Sequence, residues 1–364
     1  MSNTDPQPCV AIDAMGGDVG PAALVAGAVQ VARETSLSLL LVGKEDLIKA
    51  ELEQQQIQGL DIQIVHAESV AEMGDKPSHI LRRKKDTSIQ ATCNLVKEGR
   101  AQGMLSAGHT GVTLASAMFT LGRIKGIERP ALAALLPRES KPLVLIDVGA
   151  NVDSKPRHLV QFAVMAEALA HNVLQVPHPK VSLLNIGEEK GKGNQQVNET
   201  YQLLGRTSLN FTGNVEGRDL FSGDMDIVVC DGFVGNIALK LSEGLGQAFS
   251  QMLRQELNDG FMTRMGAMLA KPAFKRFVHR LDHEEYGGAP LLGLNGTVFV
   301  CHGTASPKAV SKALHMAVDS IRNKANDDIR MGLEMNPEIT RFQRLKSMLN
   351  TSASKNQAHE EDKE

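Results

Sequence analysis

The sequence predicts a doubly wound α/β fold built on a mostly parallel sheet. Two observations support this: short aliphatic runs recur along the 364 residues, and segments with helical periodicity fill the spaces between them. Continuous aliphatic runs suit parallel strands that are covered on both faces, and alternating strands and helices favour a parallel sheet. Each run ends in a glycine-containing polar turn, and the six runs with their turns span residues 12–18, 105–111, 145–151, 184–189, 229–236 and 299–304.

The predicted helices follow these turns in order. Pro21 suits the first turn of a helix after the first run. Thr110 and Asn236 each lead into a segment whose apolar residues have helical spacing. Ser306-Pro307 forms an N-cap and first-turn pair ahead of another such segment. Strand, turn and helix therefore recur as a unit.

One helical stretch and one tail depart from this alternation. Residues 247–286 have a helical pattern, and we expect a break at Lys271-Pro272 because proline removes a helical hydrogen bond. Residues 351–364 are polar and predicted to be disordered. We therefore expect a single α/β catalytic unit over residues 1–350, from which the helical segment protrudes.

The composition excludes several classes of protein. The formal net charge is −3, aromatic residues make up 4% and tryptophan is absent, whereas nucleic-acid binders are basic and often stack bases on aromatic rings. The four cysteines form no C-x-x-C pair, and we expect Cys230 and Cys301 to pack as small hydrophobic residues. No export signal or apolar stretch near the ~20 residues that span a bilayer is visible. We expect a cytoplasmic protein, either soluble or on a membrane surface.

The glycine turns predict a site for an anion. Glycine lets the backbone approach a ligand closely, and the helix that follows directs free N–H groups at the same place. Taken singly, each turn is equally consistent with an ordinary tight connection, but several turns on one sheet edge favour a site. The expected site residues of the first two turns are Asp13, Gly16, Gly17, Asp18, Ser106, Gly108, His109, Thr110 and Gly111.

Nucleotide-binding signatures are absent. The sequence has no G-x-G-x-x-G, and the loop 187–194 resembles a phosphate loop only in composition, because its spacing departs from the Walker pattern. Lys192 stands between glycines shortly after an aliphatic run. This position predicts a mobile cation near the site, with an ordinary solvated lysine as the alternative.

An ordered set of motifs resembles the bacterial phosphate acyltransferases of phospholipid synthesis. The motifs run in the family's order from about Val10 to Met348, and their combination is far more specific than any one of them. One departure is His109, where the family usually has asparagine; both donate a hydrogen bond, but histidine makes a pH-dependent role conceivable. The motifs are IDAMGGD at 12–18, SAG at 106–108 with TG at 110–111, RPA at 129–131, DVGAN at 147–151, NIGEE at 185–189 with KGN at 192–194, VEG at 215–217, DGFVGN at 231–236, GGAPLLG at 287–293 and HG at 302–303.

The resemblance implies an activity and partners. A long-chain fatty acyl group would pass from the thioester of acyl carrier protein to inorganic phosphate, and the acyl phosphate would supply a membrane glycerol-3-phosphate acyltransferase. A homodimer, no cofactor, and a fold like that of phosphotransacetylases and isopropylmalate dehydrogenases are also implied. Two alternatives stay open: a short-chain phosphotransacetylase that uses coenzyme A, and a non-catalytic membrane adaptor of lipid synthesis.

The resemblance also implies that Lys192 and Asn236 are the catalytic pair. A phosphate group with a second pKa near ~6 is already largely a dianion at neutral pH, so little general-base help is needed. Lys192 would neutralise the phosphate, and Asn236 would donate to the tetrahedral oxyanion. We expect the aspartates to hold loop N–H groups, with a metal ion as the alternative, and His302 is equally open to a core role. The further residues expected at the phosphate and substrate site are Asp147, Asn151, Asn194, Asp231 and His302.

Two surfaces are expected to meet partners. The basic run Arg82, Arg83, Lys84 and Lys85 suits the acidic acyl carrier protein through electrostatic steering, with a solvated helix start as the alternative. The segment 261–280 mixes Met, Leu and Phe with Arg and Lys, which is typical of an interfacial helix on an anionic membrane. A dimer interface is the other option, and both hold if only the tip touches lipid. The residues expected at the membrane are Met265, Met268 and Leu269.

Overall fold

A computed structural model describes residues 7–337, with gaps at 19, 72–74, 76–79, 81–85, 139–140 and 282. All six aliphatic runs form strands, as predicted. The strands are β1 (Cys9–Asp13), β2 (Ser38–Gly43), β3 (Ile62–His66), β4 (Gly103–Ser106), β5 (Ala131–Leu136), β6 (Leu143–Ile146), β7 (Val181–Leu184), β8 (Phe211–Val215), β9 (Ile227–Val229), β10 (Ala289–Leu292) and β11 (Thr297–Val300).

The helices occupy the segments between and after the strands. Ser306 accepts a hydrogen bond from Ala309 N–H as the N-cap of the helix that starts at Pro307, as the sequence predicts. The described helices are α1 (Ala22–Thr35), α2 (Glu45–Glu53), α3 (Ser88–Lys97), α4 (Thr110–Leu121), α5 (Pro156–Leu174), α6 (Gln195–Leu204), α7 (Gly232–Asn258), α8 (Phe261–Leu281), α9 (Pro307–Arg322) and α10 (Ala325–Met335), with short 3-10 turns at Gly217–Leu220 and His283–Tyr286.

The sheet consists of two parallel blocks in the order β3-β2-β1-β4-β11-β10-β5-β6-β9-β7-β8. Block one consists of β3, β2, β1, β4 and β11, block two consists of β6, β9, β7 and β8, and every neighbouring pair within each block is parallel. The β11–β10, β10–β5 and β5–β6 pairs are antiparallel, so the two blocks run in opposite directions. The turns after the six runs therefore do not all lie on one sheet edge, because three successive antiparallel pairings reverse the strand direction.

Strand β10 joins the two blocks and brings their ends together. Its first two residues pair with the end of β11, and its last two pair with the beginning of β5. The start of β5 in turn pairs with the end of β6, since Ala133 is opposite Ile146. The carboxyl ends of both blocks therefore face a common cleft across β10.

Apolar side chains cover both faces of the sheet. Along β5, Leu132 and Ala134 pack into one apolar cluster, and Ala131 and Ala133 pack into another, which is the alternation that a strand requires. A third cluster surrounds β1, β2 and α1 and contains Phe299. The core is thus built from the aliphatic runs that the sequence marks as strands.

The helical excursion consists of the two successive helices α7 and α8. The break between them does not lie where the proline predicts. α7 ends at Asn258 and α8 begins at Phe261, with Gly260 between them at φ +88°. Pro272 lies inside α8. The predicted break at Lys271-Pro272 is wrong: glycine, which adopts positive φ without a steric penalty, makes the turn, while the helix continues through the proline.

Two features that the sequence singled out lie outside the described residues. These are the basic run Arg82, Arg83, Lys84 and Lys85, and the polar tail 351–364. The prediction for each stays a prediction.

Candidate active site

The hydroxyl group of Ser106 links the turn after β4 to the turn after β1 through hydrogen bonds. Ser106 Oγ donates to Asp13 Oδ2 at 2.8 Å and accepts from Gly108 N–H at 3.1 Å. Burial raises the pKa of Asp13, and hydrogen bonds from Ser88, Ser106 and the Met15 backbone oppose that rise. A Cβ on Gly16 would stand 2.8 Å from Gly108 N. The two glycine turns are therefore packed directly on one another, as a shared site requires.

His109 begins helix α4 by accepting a hydrogen bond. Its Nδ1 accepts from Gly111 N–H at 3.1 Å, so the neutral ring carries its proton on Nε2. Histidine here occupies the N-cap position, where asparagine is also favoured. The ring therefore keeps one N–H donor, while Thr110 and Gly111 open the helix beside it.

A buried carboxylate holds the turn after β6. Asp147 Oδ1 accepts from the backbone N–H groups of Gly149 and Ala150 at 3.1 and 2.8 Å. Its Oδ2 accepts from the backbone and the amide of Asn151 at 2.8 and 2.7 Å, and the Asn151 amide also donates to Pro130 O at 2.8 Å. Burial raises the pKa of Asp147, while these N–H donors oppose the rise. Asp147 and Asn151 thus fix the loop.

The start of α7 is pressed against this same loop. Asp231 caps the helix by accepting from Phe233 N–H at 2.9 Å, and its other oxygen accepts from Ser154 N–H at 2.7 Å. A Cβ on Gly235 would lie 1.9 Å from Asp147 O, and one on Gly232 would lie 2.2 Å from Asn151 O. Glycine at both positions is what allows α7 to approach the turn after β6 so closely.

The two blocks enclose a cavity of about 290 Å³ at their facing ends. Block one contributes Thr110 and His302, and block two contributes Gly149 and Asn236. Residues that the sequence separates by nearly two hundred positions therefore meet, as the glycine turns predicted. Apolar side chains from β5, β10, β11 and α7 form much of the remaining lining, namely Leu132, Ala134, Leu135, Val148, Leu239, Ala289, Val300 and Cys301.

Three polar residues of this cavity were missed in the sequence. Lys240 and Glu243 follow Asn236 by one and two turns of α7, and Tyr286 precedes the Gly287-Gly288 pair. Helical spacing from Asn236 was the signal that could have found Lys240, because residues four apart lie on one helix face. No signal of comparable strength marks Tyr286, which comes from the end of the helical excursion.

Lys192 lies in an exposed loop between β7 and α6. Gly191 and Gly193 flank it at φ +96° and +90°, and its backbone oxygen accepts from the Asn185 amide at 3.0 Å. The loop follows β7, which pairs in parallel with β9, the strand that precedes α7 and Asn236. Lys192 is not among the residues that line the cavity.

The remaining predicted residues surround these turns. Asn194 caps α6 by accepting from Val197 N–H at 2.9 Å. The N–H of Asp18 donates to Gly303 O at 2.8 Å, so the first turn also touches the turn after β11. In that turn, His302 Nδ1 lies 2.8 Å from Thr304 Oγ1. His302 is exposed at the cavity and does not occupy a core position.

The cysteines near the site are buried thiols. Burial raises the pKa of Cys301 to about 12 and raises that of Cys230 well above its ordinary value. Both side chains are buried, which confirms that they pack as small hydrophobic residues. Among the described residues, no group of three or more His, Cys, Asp or Glu side chains is arranged to hold a metal ion.

Residues 9–327 match the family described as fatty acid synthesis protein, and the chain belongs to this family. Within it, the relatives are phosphate acyltransferases. The phosphate acyltransferase of Nitratidesulfovibrio vulgaris is 52% identical over 334 residues, which cover 92% of this chain and 97% of the relative. That of Geobacter sulfurreducens is 46% identical over 333 residues, with 92% and 96% covered. These matches confirm the resemblance that the ordered motifs indicate.

Solved structures with a similar fold include phosphotransacetylases. One from Streptococcus pyogenes has a TM-score of 0.62 at 19% identity and covers 87% of this chain and 94% of that one. A branched-chain phosphotransacylase from Enterococcus faecalis has a TM-score of 0.52 at 18% identity, with 86% and 100% covered. The predicted phosphotransacetylase-like α/β fold is therefore confirmed.

Proposed function

We propose that this chain transfers a long-chain acyl group from the thioester of acyl carrier protein to inorganic phosphate. The observation that carries the proposal is the cavity between the two blocks, where the first turns of α4 and α7 meet beside Asn236, Lys240 and His302. Helix N-termini favour anions, and a cationic side chain adds to that preference. The phosphate acyltransferase relatives supply the class of reaction.

The reaction needs a placed phosphate and an oxyanion donor. An oxygen of HPO₄²⁻ attacks the thioester carbonyl, the C–S bond breaks, and the phosphate proton passes to the leaving sulfur, which gives acyl phosphate and free thiol. Asn236, which lines the cavity, donates to the carbonyl oxygen as its charge develops. Lys192, in the neighbouring loop, neutralises the phosphate, and Thr110 and His302 hold it against the carbonyl.

Several predicted residues support this site without touching the reacting atoms. Asp147, Asn151 and Asp231 fix the turn after β6 and the start of α7. Asp13 and Ser106 do the same for the turn that leads to α4. Their role in the proposal is to keep backbone N–H groups aimed at the phosphate.

The exposed apolar surface of the helical excursion supports the proposed partners. Leu241 and Leu245 on α7 are 70% and 68% exposed, and Met268 and Leu269 on α8 are 72% and 82% exposed; apolar patches of this kind mark interaction sites. We assign the α7 stripe to a second copy of the chain and the α8 tip to an anionic membrane. Sedimentation of a Leu241→Glu, Leu245→Glu variant tests the first assignment, since a purely dimeric variant would refute it.

The site of action follows from the product. Acyl phosphate is amphiphilic and readily hydrolysed, so release beside a membrane glycerol-3-phosphate acyltransferase at the inner face of the cell membrane would protect it. No described helix is long and apolar enough to cross a bilayer. Contact with the membrane is proposed to be peripheral, through the exposed apolar residues of α8. Acyl carrier protein is proposed to dock through the basic run Arg82, Arg83, Lys84 and Lys85.

Product analysis tests the proposed function against its two rivals. Purified protein is incubated with phosphate and either hexadecanoyl-acyl carrier protein or acetyl-coenzyme A, and acyl phosphate is trapped with hydroxylamine. We expect acyl phosphate from the carrier-bound long chain. Activity confined to acetyl-coenzyme A would favour a short-chain phosphotransacetylase, and an intact thioester in both arms would favour a non-catalytic adaptor.

A further inference from the structure

The loop between β6 and α5 is fixed at both ends. Near its start, the amide of Asn151 donates to Asp147 Oδ2 at 2.7 Å. At its far end, Lys155 N–H donates to His158 Nδ1 at 3.1 Å, in the first turn of α5. Ser154 lies between these two anchors and is buried. The backbone groups of Ser154 therefore have defined positions.

Ser154 binds the first turns of two helices through its backbone. Its N–H donates to Asp231 Oδ2 at 2.7 Å, and Asp231 is the N-cap of α7. Its carbonyl oxygen accepts from the side-chain amide of Gln196, a half-buried residue in the first turn of α6. One buried residue therefore connects the start of α6 to the start of α7, the helix that carries Asn236.

The loop of Lys192 is bound to the same end of α6. Asn194, at the end of the loop, caps α6 by accepting from the backbone of the helix. The amide of Asn198 on α6 donates to Gly193 O at 3.2 Å. At the other side of the loop, the Asn185 amide donates to Lys192 O at 3.0 Å. A shift of the first turn of α6 would therefore move the loop with it.

We infer that Gln196 is a positioning residue that sets where the Lys192 loop lies relative to Asn236; the inference rests on the proposed function, in which these two residues act together. Parallel pairing of β7 and β9 aligns the two strands, but the loop after β7 runs on to Asn194 before α6 begins. Gln196 fixes that far end to the segment that also binds Asp231. Without the amide, Lys192 would keep its charge but would spend less time beside the phosphate.

Replacing the amide of Gln196 tests its effect on the reaction. Gln196→Met removes the donor and keeps an unbranched side chain that suits a helix. We expect kcat for acyl phosphate formation from hexadecanoyl-acyl carrier protein to fall about fivefold, the scale of one net hydrogen bond. Gln195→Met is the matched control, because the Gln195 amide donates to Glu199 Oε1 at 2.6 Å, where both residues are exposed. Equal kcat values in the two variants would overturn the inference.

A double-mutant cycle separates positioning from a general effect on the fold. In the Lys192→Ala background no amine is left to place, so we expect Gln196→Met to cause no further loss when the rates are measured at a higher enzyme concentration. The same fivefold loss in both backgrounds would overturn the inference, since Gln196 would then act independently of Lys192. No acyl phosphate from the parent protein would refute the proposed function instead.

Tryptic cleavage tests the inference without the reaction. Trypsin cuts after lysine, and the loop contains Lys190 and Lys192, which are both exposed and each followed by glycine. Cleavage of a folded protein follows the population of locally opened chain. We expect cleavage in this loop, located by mass, to be about fivefold faster in Gln196→Met than in Gln195→Met at a temperature well below both melting curves. Equal rates of loop cleavage would overturn the inference, whatever the activity of the two variants.

Discussion

At the scale of single residues, close backbone packing is what shapes the site. Gly235 has no room for a side chain, because a Cβ would lie 1.9 Å from Asp147 O, whereas Gly244 on the same helix has no neighbour within 4 Å of that point. Both are α7 residues, but only the first faces the turn after β6. Substitutions at Gly235 and Gly244 therefore distinguish the effect of close packing from the effect of helix propensity.

Alanine at these two positions is expected to shift stability in opposite directions. Gly235→Ala should lower the unfolding free energy by about 3 kcal/mol through overpacking. Gly244→Ala should raise it by about 0.5–1 kcal/mol, because alanine loses less entropy than glycine in a helix. Thermal unfolding of the two variants beside the parent protein checks this, and a loss of the same size in both would contradict the packing account.

Cys301 lines the cavity, but we do not expect its buried thiol to form a covalent acyl-enzyme. Burial raises its pKa to about 12, which disfavours the thiolate, and the thiolate is the nucleophile. Raising the pH from 6 to 9 stays far below that pKa and should expose no thiol-dependent step. We expect Cys301→Ala to retain kcat within about threefold. The contrary result would be an exchange of acyl groups between carrier proteins that the parent protein catalyses without phosphate and that Cys301→Ala has lost.

Lys192 is proposed to neutralise the phosphate from an exposed loop. Its side chain is exposed between two glycines with positive φ, so replacement should leave the fold intact. We expect Lys192→Ala to lower acyl phosphate formation at least about 100-fold, the scale on which a lost charge-stabilising group acts, with an unchanged melting curve. Lys190→Ala, two residues earlier in the same loop, is the control. A near-normal rate in folded Lys192→Ala would remove it from the mechanism.

At the scale of elements, α8 is the helix proposed to contact the membrane. Met265 and Leu269 lie one turn apart and are 46% and 82% exposed. We expect Met265→Glu with Leu269→Glu to release the protein from anionic vesicles and leave acyl transfer from soluble donors intact, since both side chains lie away from the cavity lining. Vesicle flotation measures the release, with Met331→Glu on α10 as an exposed apolar control. Unchanged flotation, or joint loss of dimer and activity, would contradict membrane contact.

Much of this architecture was readable from the sequence, and the failures have physical causes. The six aliphatic runs identify six strands, and the turns after them identify Thr110, Asn236 and His302, all of which line the cavity. The other five described strands, β2, β3, β5, β8 and β10, were missed because none of them belongs to the six runs on which the prediction rested. The reversal of strand direction was missed as well, since pairing direction depends on long-range contacts that local patterns do not encode.

The helix break was misassigned because two local signals compete. Proline at 272 removes one hydrogen bond, but an exposed helix tolerates that loss, whereas Gly260 reverses the chain at φ +88°. Lys240 was missed although its helical spacing from Asn236 indicates the same helix face. Tyr286 was missed because its place in the cavity depends on how the chain returns from α8 to β10. Glycine turns therefore locate the site, and packing decides which side chains complete it.

At the scale of the whole molecule, the site depends on both blocks. Block one contributes the turns after β4 and β11, block two contributes the turns after β6 and β9, and β10 holds the two in register. In the proposed mechanism, Thr110 and His302 of block one hold the phosphate beside a carbonyl that Asn236 of block two activates. The central claim is that acyl transfer takes place in this shared cavity, with Asn236 stabilising the transition state.

Asn236→Ala tests this claim most directly. Initial rates of acyl phosphate formation are measured over a range of phosphate at saturating hexadecanoyl-acyl carrier protein. Because an oxyanion donor acts mainly in the transition state, kcat should fall by about 100- to 1000-fold while KM for phosphate changes little. A raised KM for phosphate with unchanged kcat would contradict the account, since Asn236 would then be only a phosphate ligand.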